Sequence, residues 1–78
     1  MEVSLINHLA AHRRAAGLTQ AQLAEAIGVS RKTINTVENR VFIPSTLLAL
    51  KLARHLDVSL HDLFELAPET ATPEKDIT

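Results

Sequence analysis

The chain has 78 residues, 46% of them hydrophobic, with no cysteine and a formal net charge of −1. That length supports one small domain, and without thiols there is neither a disulfide nor a thiolate zinc site to staple it. No stretch approaches the roughly 20 apolar residues of a membrane span, and the N-terminus lacks a basic-then-apolar leader, so the sequence reads as a soluble, unprocessed cytoplasmic chain.

Few segments alternate with period two, so strands are not expected in the core and the elements are read as helices. Helix 1 starts at Ser4 or Asn7 and runs to about Ala16, with Leu5, Ile6, Leu9 and Arg13 on one side and Gly17 as its stop. Helix 2 has the clearest start. Thr19 as N-cap with Gln22 three residues on forms a capping box, Leu23, Ala24 and Ile27 make the apolar stripe, and Gly28 ends the helix. Helix 3 follows Ser30, whose hydroxyl can cap the free N–H groups; Ile34 and Val37 face inward. Residues Asn39 to Pro44 connect to helix 4, which Ser45 caps and in which Leu48, Leu52 and Leu56 recur beside Ala49 and Ala53. Asp57 and Val58 turn the chain, and Ser59 with Asp62 repeats the capping box for a short helix 5 over residues 60–66. From Ala67 onward there are two prolines, four charges and no apolar periodicity, the pattern of a flexible acidic tail. The expected architecture is a compact all-α, five-helix domain over residues 1–66 with a tail at 67–78.

The outward positions of helix 3 are Arg31, Lys32, Asn35 and Thr36. Two helices joined by a tight glycine-containing turn, the second presenting long hydrogen-bonding side chains, form the geometry that places a helix in the DNA major groove. Charge is distributed to match. Residues 1–54 carry seven Lys or Arg against three acids, a balance of +4, whereas residues 55–78 carry one against six, a balance of −5. Arg31 and Lys32 also sit at the positive end of the helix 3 dipole, the wrong end for cations unless an anionic partner docks there.

The run Gln20, Leu23-Ala24, Gly28-Val29-Ser30, Thr33-Ile34, Val37-Glu38-Asn39, Pro44-Ser45, Leu50, Ala53 and Leu63-Phe64, covering about residues 5–66, resembles the Xre-type, lambda-repressor-like helix-turn-helix DNA-binding domain. The resemblance implies a helix-turn-helix formed by helices 2 and 3, and a partly buried ion pair between Arg13 and Glu38 that fixes helix 1 against helix 3. It implies a phosphate-anchoring role for Gln20. Ser30, Asn39, Arg40, Ser45 and Thr46 are further phosphate candidates, while Arg31, Lys32, Asn35 and Thr36 are the base-reading candidates. The sequence departs from the family after the glutamate, where relatives commonly show Asn-Gly-Lys and this chain has Asn39-Arg40-Val41. Asn39 or Arg40 must then take the left-handed conformation. Of the apolar run Val41, Phe42 and Ile43, Phe42 is expected to pack inward and the other two to mark a subunit contact or simple loop packing.

The expected function is a sequence-specific double-stranded DNA-binding regulator, a homodimeric repressor on a pseudo-palindromic operator. The dimer surface is the 41–43 loop, the tail, or, by preference, the helix 5 face bearing Leu63 and Leu66. The alternative is an antitoxin that binds a toxin partner and its own operator. Catalysis is not expected: Ser30, Ser45 and Ser59 are used as caps, and His8 and His12, four apart, lack the carboxylate or thiol of a metal signature and read as surface residues. No cofactor or metal is called for.

Overall fold

Four hydroxyls decide where four of the helices begin. Thr19, Ser30, Ser45 and Ser59 each lie in extended backbone and accept the amide three residues on, from Gln22, Thr33, Leu48 and Asp62, at 3.0–3.1 Å. Each removes one of the donors that a helix start leaves without a partner. At Thr19 and Ser59 the side chain of Gln22 or Asp62 returns the bond to the cap amide, so both expected capping boxes form.

The computed structural model of the chain describes residues 5–67. Their order is β1 (Leu5–Asn7), α1 (Leu9–Ala15), α2 (Gln20–Ile27), α3 (Arg31–Glu38), α4 (Thr46–Leu56), α5 (Leu60–Leu63) and β2 (Phe64–Leu66). The tail assigned to residues 67–78 lies, from 68 on, outside the described residues.

The two strands correct the sequence reading at both ends of the domain. β1 and β2 pair antiparallel in the register Leu5 to Leu66, Ile6 to Glu65 and Asn7 to Phe64, and the amide of His8 continues the ladder to the carbonyl of Leu63 at 2.8 Å. Helix 1 therefore starts at Leu9, not Ser4 or Asn7, and helix 5 ends at Leu63 with Phe64 already extended. Asn7 makes the switch. Its side-chain oxygen accepts the Leu9 amide at 2.9 Å while its amide nitrogen donates to the Val37 carbonyl at 2.7 Å, tying the strand end to the last turn of α3. Three-residue strands are too short to show a period-two pattern, which is why the apolar residues flanking α1 and α5 pass for helix.

Every helix sends at least one fully buried side chain to a single core: Leu9, Leu23, Ile34 with Val37, Leu52 and Leu63. Burying each is worth about 1.5–3 kcal/mol. Leu63 belongs to that core, so it has no part in a dimer surface, contrary to the expectation for helix 5. Ala24, also buried, contributes its carbonyl to both Gly28 and Val29 amides at 2.9 and 3.0 Å, closing the turn between α2 and α3. Gly28 takes φ 81°, a left-handed conformation that glycine adopts without penalty.

Candidate nucleic-acid interface

With Ile34 and Val37 locked into the core, about 100° of helix rotation per residue carries Arg31, Lys32, Asn35 and Thr36 around the opposite side of α3. Arg31 and Lys32 are exposed in the first turn, and Asn35 and Thr36 are half-buried one turn on. The two cations stand where the helix dipole is positive and no acidic residue occupies the first turn, so the surface is prepared for an anion.

Behind this face runs a directional chain of hydrogen bonds. Arg13 Nε and Nη2 donate to the two oxygens of Glu38 at 2.6 and 3.2 Å, and Nη1 donates to the Leu18 carbonyl at 2.8 Å. Glu38, which can only accept, then fixes the neighbouring amide. Gln20 Nε2 donates to Glu38 Oε1 at 3.0 Å, Asn35 Nδ2 donates to Gln20 Oε1 at 3.4 Å, and Asn39 Nδ2 donates to Asn35 Oδ1 at 3.2 Å. The candidates Gln20, Asn35 and Asn39 are thereby brought together, and Asn35 keeps one further N–H and one further lone pair, the pair that adenine N7 and N6 require.

Electrostatics hold the base of this chain in one charge state. Burial pushes the Glu38 carboxyl up, but hydrogen bonds from Arg13 and Gln20, with the attraction of Arg13 and Arg14, outweigh it and leave it below the ordinary value. The bond to Glu38 raises Arg13 despite its burial.

The other candidates are placed differently. Ser30 Oγ pairs with Thr33 Oγ1 at 3.0 Å besides capping α3, and Thr36 Oγ1 donates back to the Thr33 carbonyl at 2.9 Å. Arg40 is exposed and, not Asn39, takes the left-handed conformation at φ 65°. Val41 and Phe42 amides both donate to the Thr36 carbonyl, at 2.9 and 3.2 Å, folding the loop back on α3. Phe42 does not turn inward: it stays 46% exposed, because its backbone is pinned to α3 instead of reaching the core. Ser45 caps α4, and Thr46 lines an apolar depression with Ile43, Ala49, Leu60 and Phe64 instead of the cleft beside α3. Sequence reasoning gave neither Asn7 nor Thr33 a place in the site; both act through hydrogen bonds that only the folded arrangement supplies.

His8 Nε2 meets Glu65 Oε2 at 2.7 Å across the strand pair, and among the described residues no group of three or more His, Asp or Glu is gathered in a way that could hold a metal ion. Among those residues no helix is long and apolar enough to cross a membrane.

A helix-turn-helix family model matches residues 9–63. The chain is similar to an HTH-type transcriptional regulator of Methanothermobacter thermautotrophicus, 43% identical over 61 residues that span 77% of this chain and 88% of the relative. It is also similar to the regulator MJ0272 of Methanocaldococcus jannaschii, at 41% identity over 74% of this chain and 88% of the relative. YgzD of Bacillus subtilis is 38% identical over 68% of this chain and 80% of that protein. Among solved structures, a Bacteroides fragilis protein assigned as DNA-binding superposes with a TM-score of 0.73 at 26% identity, covering 80% of this chain and all of that one. The transcriptional regulator VanUg shares the fold, with a TM-score of 0.70 at 20% identity over 88% of this chain and 92% of that one. The chain belongs to the helix-turn-helix family of transcriptional regulators, in its Xre-type, lambda-repressor-like branch, a class of DNA-binding domains and not of enzymes.

Proposed function

We propose that this chain is a sequence-specific repressor that binds a pseudo-palindromic duplex as a homodimer, with α3 of each copy in the major groove. The observation that carries the reading is the outward face of α3: two exposed cations at its positive end, followed by Asn35 held in one orientation by the Gln20–Glu38 chain. Arg31 suits guanine O6 and N7, Asn35 suits adenine, and Lys32 and Thr36 complete the base-facing set. Gln20, Ser30, Asn39, Arg40 and Ser45 are assigned to phosphates; Thr46, which lines the apolar depression, is withdrawn from that set.

One such domain covers one half-site, and two-fold pairing sets a second recognition helix about 34–36 Å away. The dimer seam falls on the apolar depression between α4, α5 and β2, where Ile43, Leu60 and Leu66 are exposed around Phe64. Residues from 67 on lie outside the DNA-binding unit, and the protein works in the cytoplasm, where its operator is.

Selection from a random duplex library, followed by titration at two salt concentrations, tests the reading. The expected result is a pseudo-palindromic consensus whose affinity falls steeply with salt. Binding that is indifferent to sequence would sink it. A sedimentation series with Leu66→Lys tests the seam: dimers should give way to monomers. If the wild type sediments as a monomer and pairs only with a different protein, the antitoxin reading replaces the homodimer.

A further inference from the structure

The outward face of α3 has two sides of different chemistry. On the side of Asn35 and Gln20 the side-chain amides form the donor–acceptor chain described above. On the other side the hydroxyls are engaged with one another and with the backbone. Thr36 Oγ1 donates to the Thr33 carbonyl, and Thr33 Oγ1 pairs with Ser30 Oγ, which also accepts the Thr33 amide. What Thr36 retains for a partner is an acceptor and a methyl group.

Against that side lies the departure from the family pattern. Arg40 at φ 65° reverses the chain, and the Thr36 carbonyl holds the amides of both Val41 and Phe42. Val41 is left 77% exposed and Phe42 46% exposed, and together with Ser30, Lys32, Thr33 and Thr36 they line a cleft of about 320 Å³. An apolar pair fixed at the edge of a basic, polar helix face does nothing for the core. It is continuous with the surface assigned to DNA, and Lys32 beside it favours an anionic neighbour. In the major groove the apolar group a base pair presents is the C5-methyl of thymine.

Resting on the DNA-binding reading above, we infer that Val41, Phe42 and the Thr36 methyl form an apolar pad that packs on thymine methyl groups, so that α3 reads its half-site by hydrogen bonds along one side and by methyl contact along the other. Val41 and Phe42 are then specificity residues and not a subunit contact.

The test uses the full chain and the operator obtained by selection. Each thymine of a half-site is replaced in turn by deoxyuridine, which removes the methyl group and nothing else. Wild type should lose about three- to fivefold in affinity at one or two adjacent positions, the effect of one buried methyl. Val41→Ala or Phe42→Ala should abolish that penalty while leaving the other base preferences and the sedimentation behaviour as in wild type; both residues are exposed, so the variants should fold. An operator whose binding ignores every thymine methyl, variants that keep the full penalty, or variants that change subunit assembly would each overturn the inference alone. A library that yields no operator overturns the regulator reading and this inference with it.

Discussion

Gln20 reaches across from the first turn of α2 to the last turn of α3, donating its amide to Glu38 Oε1 at 3.0 Å and so presenting its own oxygen to Asn35. A buried carboxylate thereby sets which way two front-face amides point. Glu38 is a scaffold residue whose influence extends to the outward face of α3, the face proposed to meet DNA.

Breaking that scaffold should be expensive. Glu38→Gln leaves the Arg13 guanidinium buried without its counter-ion, and the expected loss is about 3–5 kcal/mol in urea unfolding at neutral pH. The double variant Arg13→Met with Glu38→Leu should recover most of it, because a packed apolar pair replaces both charges. If the double variant is no better than the single, the pair contributes more than charge compensation.

Acid should act through the same residue. The folded-state value of Glu38 lies below the ordinary 4.5, so its contribution is present above that pH and is lost as pH falls towards the folded value. Asp62, lowered by the backbone and side chain of Ser59, adds in the same direction below 3.8. Urea midpoints should therefore drop between pH 5 and pH 3, and the drop should shrink in Glu38→Gln; an equal drop in both proteins would assign acid sensitivity elsewhere.

Arg40→Gly separates stability from binding. Arg40 holds a positive φ that glycine adopts freely, so the variant should be as stable as wild type or more so, by about 1 kcal/mol at most. If Arg40 also meets a phosphate, affinity should fall about equally for every sequence and the salt slope should become shallower by about one. Thermal melts and titrations at two salt concentrations read the two effects apart.

Readers and anchors should differ in kind. Arg31→Ala and Asn35→Ala should each relax preference at particular bases by about 1–3 kcal/mol, whereas Gln20→Ala should mainly lower affinity across sequences, keeping every base preference except that of Asn35. Because Asn35 is oriented by Gln20, the Gln20 variant should also blur the base preference assigned to Asn35. Identical behaviour of all three variants would refute the division.

The helix starts at Thr19, Ser30, Ser45 and Ser59 were legible because each cap is a local event, set by one side chain and an amide three residues on. The inward positions of Leu23, Ile34 and Leu52 followed from periodicity for the same reason. The β1–β2 ladder was not legible, since Leu5–Asn7 becomes a strand only when Phe64–Leu66 lies beside it. The same holds for the amide chain from Glu38 to Asn39. Its residues were named singly as candidates, but their mutual orientation depends on the crossing of α2 and α3. At Phe42 the apolar character was visible and the pinning of its backbone to Thr36 was not.

The pairing of Leu5–Asn7 with Phe64–Leu66 also sets an order of events during synthesis. The α2–α3 unit is made of near neighbours in sequence and can assemble while the chain is still emerging from the ribosome. The strand pair joins the first and last of the described elements, so β1 waits until β2 has been translated. A product cut short before Phe64 would leave α3 on an open, unlatched core, so loss of Phe64–Leu66 should matter more to the lifetime of this regulator than their distance from α3 implies.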